Sequence, residues 1–259
     1  MNTDIFNITF FYALLVSTAI GSVAAYIGSL MVTKRMTLMA GALGHLTLPG
    51  IAIALKYNFD VSLGAIAILI IGIILIWLLE KRTKLPTEAL TAIVFTSSVA
   101  IAFLFLPEEK TIPALLGDIS QLNWLIPIII TIVTISLFSI IKYLYNRLIL
   151  ISISQDIAQI SGYSVARDNF IYLSCIAIIV ALGVRIVGGL MTAALIAIPA
   201  STSKNLTNNL SQYSFMSMVL GALSCICGSA ISTTFSIPIG SSIILSSTTF
   251  FIVSLIFKK

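Results

Sequence analysis

Apolar runs of about 20 residues recur from one end of this 259-residue chain to the other, and a helix of that length crosses the roughly 30 Å of hydrocarbon in a bilayer. Within hydrocarbon a spanning segment must satisfy its own backbone N–H and C=O groups, so the runs imply helices rather than a barrel. They lie near 9–32, 36–55, 61–79, 88–106, 123–144, 169–184, 187–203, 212–233 and 238–257. With 59% hydrophobic and 9% charged residues and a mean hydropathy of +1.13, no soluble core is at issue, because soluble chains carry about a quarter charged residues. The prediction is an all-α, polytopic transmembrane bundle of eight to nine spans, one membrane domain filling 1–259. The count turns on Arg185, where two short runs meet with almost no loop.

The formal charge of +5 does not point to nucleic acid, because the cations sit at helix borders and form no basic stripe interleaved with aromatics. Topology explains them. With the N-terminus outside and the C-terminus inside, the inner loops hold Lys34, Arg35, Lys81, Arg82, Lys84, Lys142, Arg147, Arg167, Lys204, Lys258 and Lys259. Only Lys56, Lys110 and Arg185 fall outside, as the positive-inside rule requires. MNTDIFNITF lacks the basic start of a cleaved signal, so the first run reads as a retained span. Cys175, Cys225 and Cys227 all lie within apolar runs and read as core residues.

An ionisable side chain inside a membrane marks a functional site by default. The single histidine, His45, sits in the middle of MTLMAGALGHLTLPGIAIAL, four residues before Pro49. Proline has no N–H to return to the carbonyl four residues earlier, so a kink is predicted at Pro49 with the His45 oxygen left free. Imidazole suits zinc, manganese and related ions, and Met36 and Met39 are weak candidate partners. One histidine cannot close a metal site alone, and a hydrogen bond to a neighbouring helix explains it equally well.

The nine carboxylates, Asp118 among them, fall at loops or span borders, which removes the midplane carriers of a gradient-driven transporter. No H-E-x-x-H or G-x-x-x-x-G-K-[ST] occurs, so neither an intramembrane metalloprotease nor P-loop ATP hydrolysis resides in the chain. The connection from about Tyr145 to Asp168 contains ISISQDIAQISGYSV. Ile153, Ile157 and Ile160 recur there opposite Gln155, Asp156 and Gln159, which predicts a short amphipathic helix stopped by Gly162. It carries no lysine or arginine for lipid headgroups, which favours docking to a cytosolic protein.

Five blocks in order, RMTLMAGALGHLTLPGIAIA, LEKRTKLPTEALTAIVF, ALLGDISQLNWLIP, ISISQDIAQISGYSV and RIVGGLMTAALIAIPASTSKNL, resemble the permease subunits of zinc and manganese ABC importers, the ZnuB and TroC type. The resemblance runs nearly the full length. It implies a permease subunit rather than an enzyme, in a homodimeric channel in the bacterial cytoplasmic (inner) membrane, with a cytosolic ATP-binding subunit and an extracytoplasmic metal-binding protein. No cofactor is held permanently, and the divalent metal is cargo.

The resemblance aligns His45 with the ion path and Pro49 and Gly50 with family positions. It places Gln155, Asp156, Ala158 and Gly162 in the ATPase-coupling segment and Gly188, Gly189 and Pro199 in a block read as gating or packing. The family pattern has an aspartate four residues before the histidine, where this chain has Gly41. Losing that carboxylate weakens attraction for a hard ion more than for zinc, so zinc is the preferred cargo. Manganese or iron import, and a degenerate scaffold without ion coordination, are the alternatives; Asp118 or Met39 would have to replace the missing ligand.

Overall fold

A computed structural model describes residues 2–57, 59, 61–83, 85–105, 125–188, 192–235 and 237–257. Every regular element among them is an α-helix: α1 (Asn2–Thr33), α2 (Thr37–Leu46), α3 (Leu48–Tyr57), α4 (Val61–Arg82), α5 (Thr87–Phe105), α6 (Leu125–Ile153), α7 (Gln155–Ile160), α8 (Val165–Val187), α9 (Thr192–Leu206), α10 (Leu210–Phe235) and α11 (Ile239–Ile256). Seven of the described helices, α1, α4, α5, α6, α8, α10 and α11, are long and apolar enough to cross a membrane. The predicted spans at 36–55 and 187–203 take other forms. The first is divided into α2 and α3, and the second is the 15-residue α9.

α1 is the central post, packed against α10, α9, α6 and α8. Lipid tails are as apolar as leucine, so helices in a membrane associate through close packing, and small residues let backbones approach. A Cβ added at Gly28 of α1 would run into the Ile196 carbonyl oxygen of α9. Cys175 and Cys225 are buried, as expected of core residues, whereas Cys227 is half-buried.

Helix α6 continues nine residues past the predicted end at 144. Its 29 residues span about 43 Å at 1.5 Å per residue, so one end overhangs the hydrocarbon. Residues 145–153, read from sequence as part of a loop, are therefore helical; the turn into α8 is only 154–164, and it holds α7. The Arg147 guanidinium lies over the Tyr163 ring at 5.0 Å and donates to the Tyr143 hydroxyl at 2.9 Å, tying this turn to the overhang.

The end of α1 meets the start of α8. Lys34 Nζ donates to Asn169 Oδ1 at 2.9 Å and lies 4.9 Å from the Tyr172 ring centroid. Nearby, Trp77 of α4 packs on Phe170 with centroids 5.5 Å apart, and Thr87 donates to Glu80 at 2.8 Å. The ends of α1, α4 and α6 and the starts of α5 and α8 therefore share one face of the bundle. Asp168, a border charge in the sequence, is only 1% exposed there, with Arg167 Nε at 3.6 Å from Oδ1.

Two outcomes follow from this packing. Gly28→Leu is expected to lower the melting temperature of the detergent-solubilised chain, overpacking costing about 1–3 kcal/mol, whereas Gly28→Ala should be the milder change. Burial pushes the Lys34 amine down to about 8, against the raising influence of Glu80 and Asp168. The unfolded lysine keeps its proton to 10.5, so between those values the unfolded chain binds more protons and stability rises with pH. The melting temperature of the native chain, compared with Lys34→Met, should climb through that window; a constant difference would contradict the assignment.

Candidate functional site

The site is a helix break. α2 rises ten residues from Thr37, about 15 Å, and ends at Leu46, half of the roughly 30 Å hydrocarbon thickness. Thr47 caps it, its N–H reaching Gly44 O at 3.4 Å and its hydroxyl donating to the same carbonyl at 2.6 Å. α3 starts at Leu48, and the Ile51 N–H returns to Thr47 O at 3.0 Å.

The interruption falls where the missing Pro49 N–H was predicted to bend the chain: Thr47 keeps helical dihedrals (φ −70°, ψ −21°), but the His45 oxygen expected to be free accepts a cap N–H instead. Proline sits well in the first turn of a helix, where its missing N–H would have no partner. The chain therefore stops at Leu46 and restarts at Leu48, with Pro49 inside the first turn of the new helix. Breaking a helix in hydrocarbon leaves carbonyls that neighbouring hydroxyls must satisfy. The Ser98 hydroxyl of α5 does so, donating to Leu46 O at 3.2 Å in a buried setting.

His45 occupies the last turn of α2 and is half-buried. Its ring lies against Phe95 of α5, with centroids 5.4 Å apart. Gly41 lies one turn earlier, about 40° round the helix from His45. Among the described residues, a Cβ added there would meet only Ala193 Cβ of α9, at 3.6 Å. Gly41 and His45 thus share one face of α2, which packs between α5 and α9, and the face has room for a side chain at position 41.

Met39 stands six residues from His45, about 240° round the helix, and is buried in the main core beside α1. Met36 precedes α2 and packs on that core. The structure does not bring either methionine to the histidine's face. Among the described residues no group of three or more His, Cys, Asp and Glu side chains converges. Asp118 and Gly189 lie outside the described residues.

Gly50 abuts α4: a Cβ on it would collide with the Gly64 carbonyl oxygen, and one on Gly64 with that of Gly50. The restarted helix is thereby clamped to α4 immediately after Pro49. Gly188 ends α8 at φ +88°, donating to Val184 O at 3.0 Å. Pro199 is buried within α9, where it removes one backbone bond, to Leu195.

The predicted short helix is present as α7. The Ser154 hydroxyl accepts from the Ile157 N–H at 3.3 Å, and Gly162 follows at φ +82°, a left-handed stop. Ala158 alone is buried; Gln155, Asp156 and Gln159 are exposed. So are Ile157 at 52% and Ile160 at 87%, and Ile153 closes α6 instead of joining α7. The apolar stripe points away from the chain's own core.

Sequence reasoning did not find Ser98 or Phe95. Both stand in α5, about 50 residues from the break, and no local pattern marks a serine that will meet a distant carbonyl. Ser98→Ala is expected to destabilise the chain by about 1–3 kcal/mol, the penalty for an unpaired buried acceptor, read as a lower melting temperature; Ser97→Ala, whose exposed hydroxyl bonds its own helix at Ile93 O, should change little.

Residues 7–258 match the ABC 3 transport family. The high-affinity zinc uptake system membrane protein ZnuB of Buchnera aphidicola subsp. Baizongia pistaciae is 23% identical over 253 residues, covering 95% of this chain and 97% of that protein. The manganese import system permease protein ScaB of Streptococcus parasanguinis is 28% identical over 251 residues, covering 93% and 88%. Among solved structures, PsaBC from Streptococcus pneumoniae in complex with Fab matches with a TM-score of 0.79 at 24% identity, over 93% of this chain and 89% of that one. That last likeness is one of fold.

Proposed function

Since this chain belongs to the ABC 3 transport family, we propose that it is the membrane-spanning permease subunit of an ATP-driven importer for a divalent metal, zinc by preference. The observation that carries this reading is the break at Leu46–Leu48, which ends α2 beside the only histidine halfway through a membrane-length segment. Relatives named for zinc and for manganese are both similar over most of the chain, so the choice of metal rests on Gly41. Without a carboxylate on the His45 face, an imidazole-led path suits zinc better than a hard ion.

The chain crosses the membrane nine times in this reading, α2–α3 and α9 adding two passages to the seven long helices. In support, α1 and α4 both finish beside the first turns of α8, so α2–α3 carries the chain away from that face before α4 returns. The same face collects Lys34, Lys81, Arg82 and Arg167 and is taken as cytoplasmic, with the N-terminus outside and the C-terminus inside a bacterial inner membrane.

ATP is hydrolysed by a separate cytosolic subunit docked on α7, whose exposed Ile157 and Ile160 offer an apolar contact and whose buried Ala158 seats it on α6 and α8. A second copy of the chain completes the channel, and an extracytoplasmic binding protein delivers the ion. Gly50, Gly188, Gly189 and Pro199 serve packing or gating. Met39 and Asp118 are secondary ligand candidates, and Met39 would need α2 to rotate.

The test is ATP-dependent uptake of labelled zinc by proteoliposomes containing this chain and its ATPase. His45→Ala should reduce zinc flux at least tenfold while leaving assembly intact, and Gly41→Asp should raise manganese flux relative to zinc. Unchanged zinc flux in His45→Ala would remove the histidine from the path; no flux for either metal in the native complex would overturn the cargo assignment. Ile160→Asp should weaken ATPase association, measured by co-purification, without changing the melting temperature of the permease.

A further inference from the structure

Away from the break, an apolar cavity of about 140 Å³ lies between α4 and α8. Ile66, Ile70 and Ile74 form its α4 wall, while Ser174, Ala177 and Ala181 line α8. Small side chains on one helix facing branched ones on the other leave a furrow that no described residue fills. The Ser174 hydroxyl is spent on the Phe170 carbonyl at 2.8 Å, so the walls offer nothing to an ion. Ile70 and Ile74 are exposed, which opens the furrow to the lipid side of the bundle.

One end of this furrow is polar and cationic. Trp77 stands one turn beyond Ile73 and Ile74 and packs on Phe170, which lines the furrow. One turn further on α4, Lys81 Nζ lies 3.5 Å from the Trp77 ring centroid. One turn before Phe170 on α8 stands Arg167, whose side chain is 64% exposed. Of the acids nearby, Glu80 accepts from Thr87, and buried Asp168 lies 3.6 Å from Arg167 Nε, so Arg167 meets a headgroup through the rest of its exposed guanidinium. Because α4 and α8 run antiparallel, both cations sit at the same membrane border, in line with the apolar walls.

We propose that this furrow is a binding site for an anionic phospholipid, one acyl chain lying against α4 and α8 and the headgroup phosphate meeting Lys81 and Arg167. The charge argument selects this occupant. A protein helix seated in the furrow would need no cations at its end, and a zwitterionic lipid would gain little from them, whereas a basic pocket between helices at a membrane surface is what acidic headgroups recognise. Trp77 marks the depth at which headgroup and chain meet, the usual station of interfacial tryptophan.

Trp77 also supplies the readout. The chain has two tryptophans, and Trp124→Phe leaves Trp77 as sole emitter. The full-length chain is reconstituted in vesicles whose phosphatidylglycerol or phosphatidylcholine is brominated near the headgroup end of the acyl chain, and quenching is compared. Brominated phosphatidylglycerol should quench in preference, and Lys81→Gln and Arg167→Gln should each reduce that preference roughly fivefold or remove it. Ala177→Phe, filling the furrow, should abolish the preferential quenching in protein that still elutes as a single species. Equal quenching by both lipids in the native chain would mean bulk lipid only and would overturn the proposal. So would a preference untouched by the two cation substitutions, and so would an absence of quenching by either lipid, which would mean that a second copy or another protein covers the furrow.

Discussion

Everything distinctive in this molecule depends on how one interruption in a membrane helix is kept from leaving bare carbonyls in hydrocarbon. A helix that stops at mid-depth exposes backbone acceptors where water cannot reach them. Here the stop is sustained locally by the Thr47 hydroxyl on Gly44 O and from a distance by the Ser98 hydroxyl on Leu46 O. Pro49 ensures that the new helix begins again at once, and the mutual approach of Gly50 and Gly64 fixes its direction along α4. His45, on the last turn before the stop, is thereby held at a chosen depth and orientation, with Phe95 against its ring.

The chemistry this permits is modest by design. Among the described residues no group of three or more His, Cys, Asp and Glu side chains converges, so in the proposed reading His45 is a weak station for an ion. A strong resident site would hold its ion, and transport needs a site that releases it. Among the described residues only Ala193 approaches a notional Cβ at Gly41, so a small side chain fits there. The turn between α6 and α8 is built differently: α7 is anchored by a single buried alanine and presents two isoleucines outward, the face that the proposed ATPase contact would use.

The helices and their order were largely legible in the sequence, because apolar length is a physical requirement of the membrane and leaves a direct trace. Ile157, Ile160 and Gly162 likewise announced α7, since spacing and stops are local, although Ile153 ends α6 instead. The bend before Pro49 was legible, because a missing N–H is a local fact; that a nearby cap N–H would take up the His45 oxygen was not. Met39 shared a segment with His45 but not a face, and a six-residue separation read as proximity leaves the two side chains about 120° apart once the helix is drawn. Ser98 and the burial of Asp168 depend on contacts between distant helices, for which one sequence carries no local mark.

The central claim is that position 45 lies on the route of the ion. Its most direct test is accessibility: His45→Cys in a chain with its three native cysteines replaced, assembled with the ATPase and treated with a membrane-impermeant thiol reagent from either side, with and without ATP and zinc. The account predicts labelling from one side in the resting complex and from the other with ATP bound, slowed by zinc in each case. A thiol at position 45 that reacts from neither side in either state would contradict it.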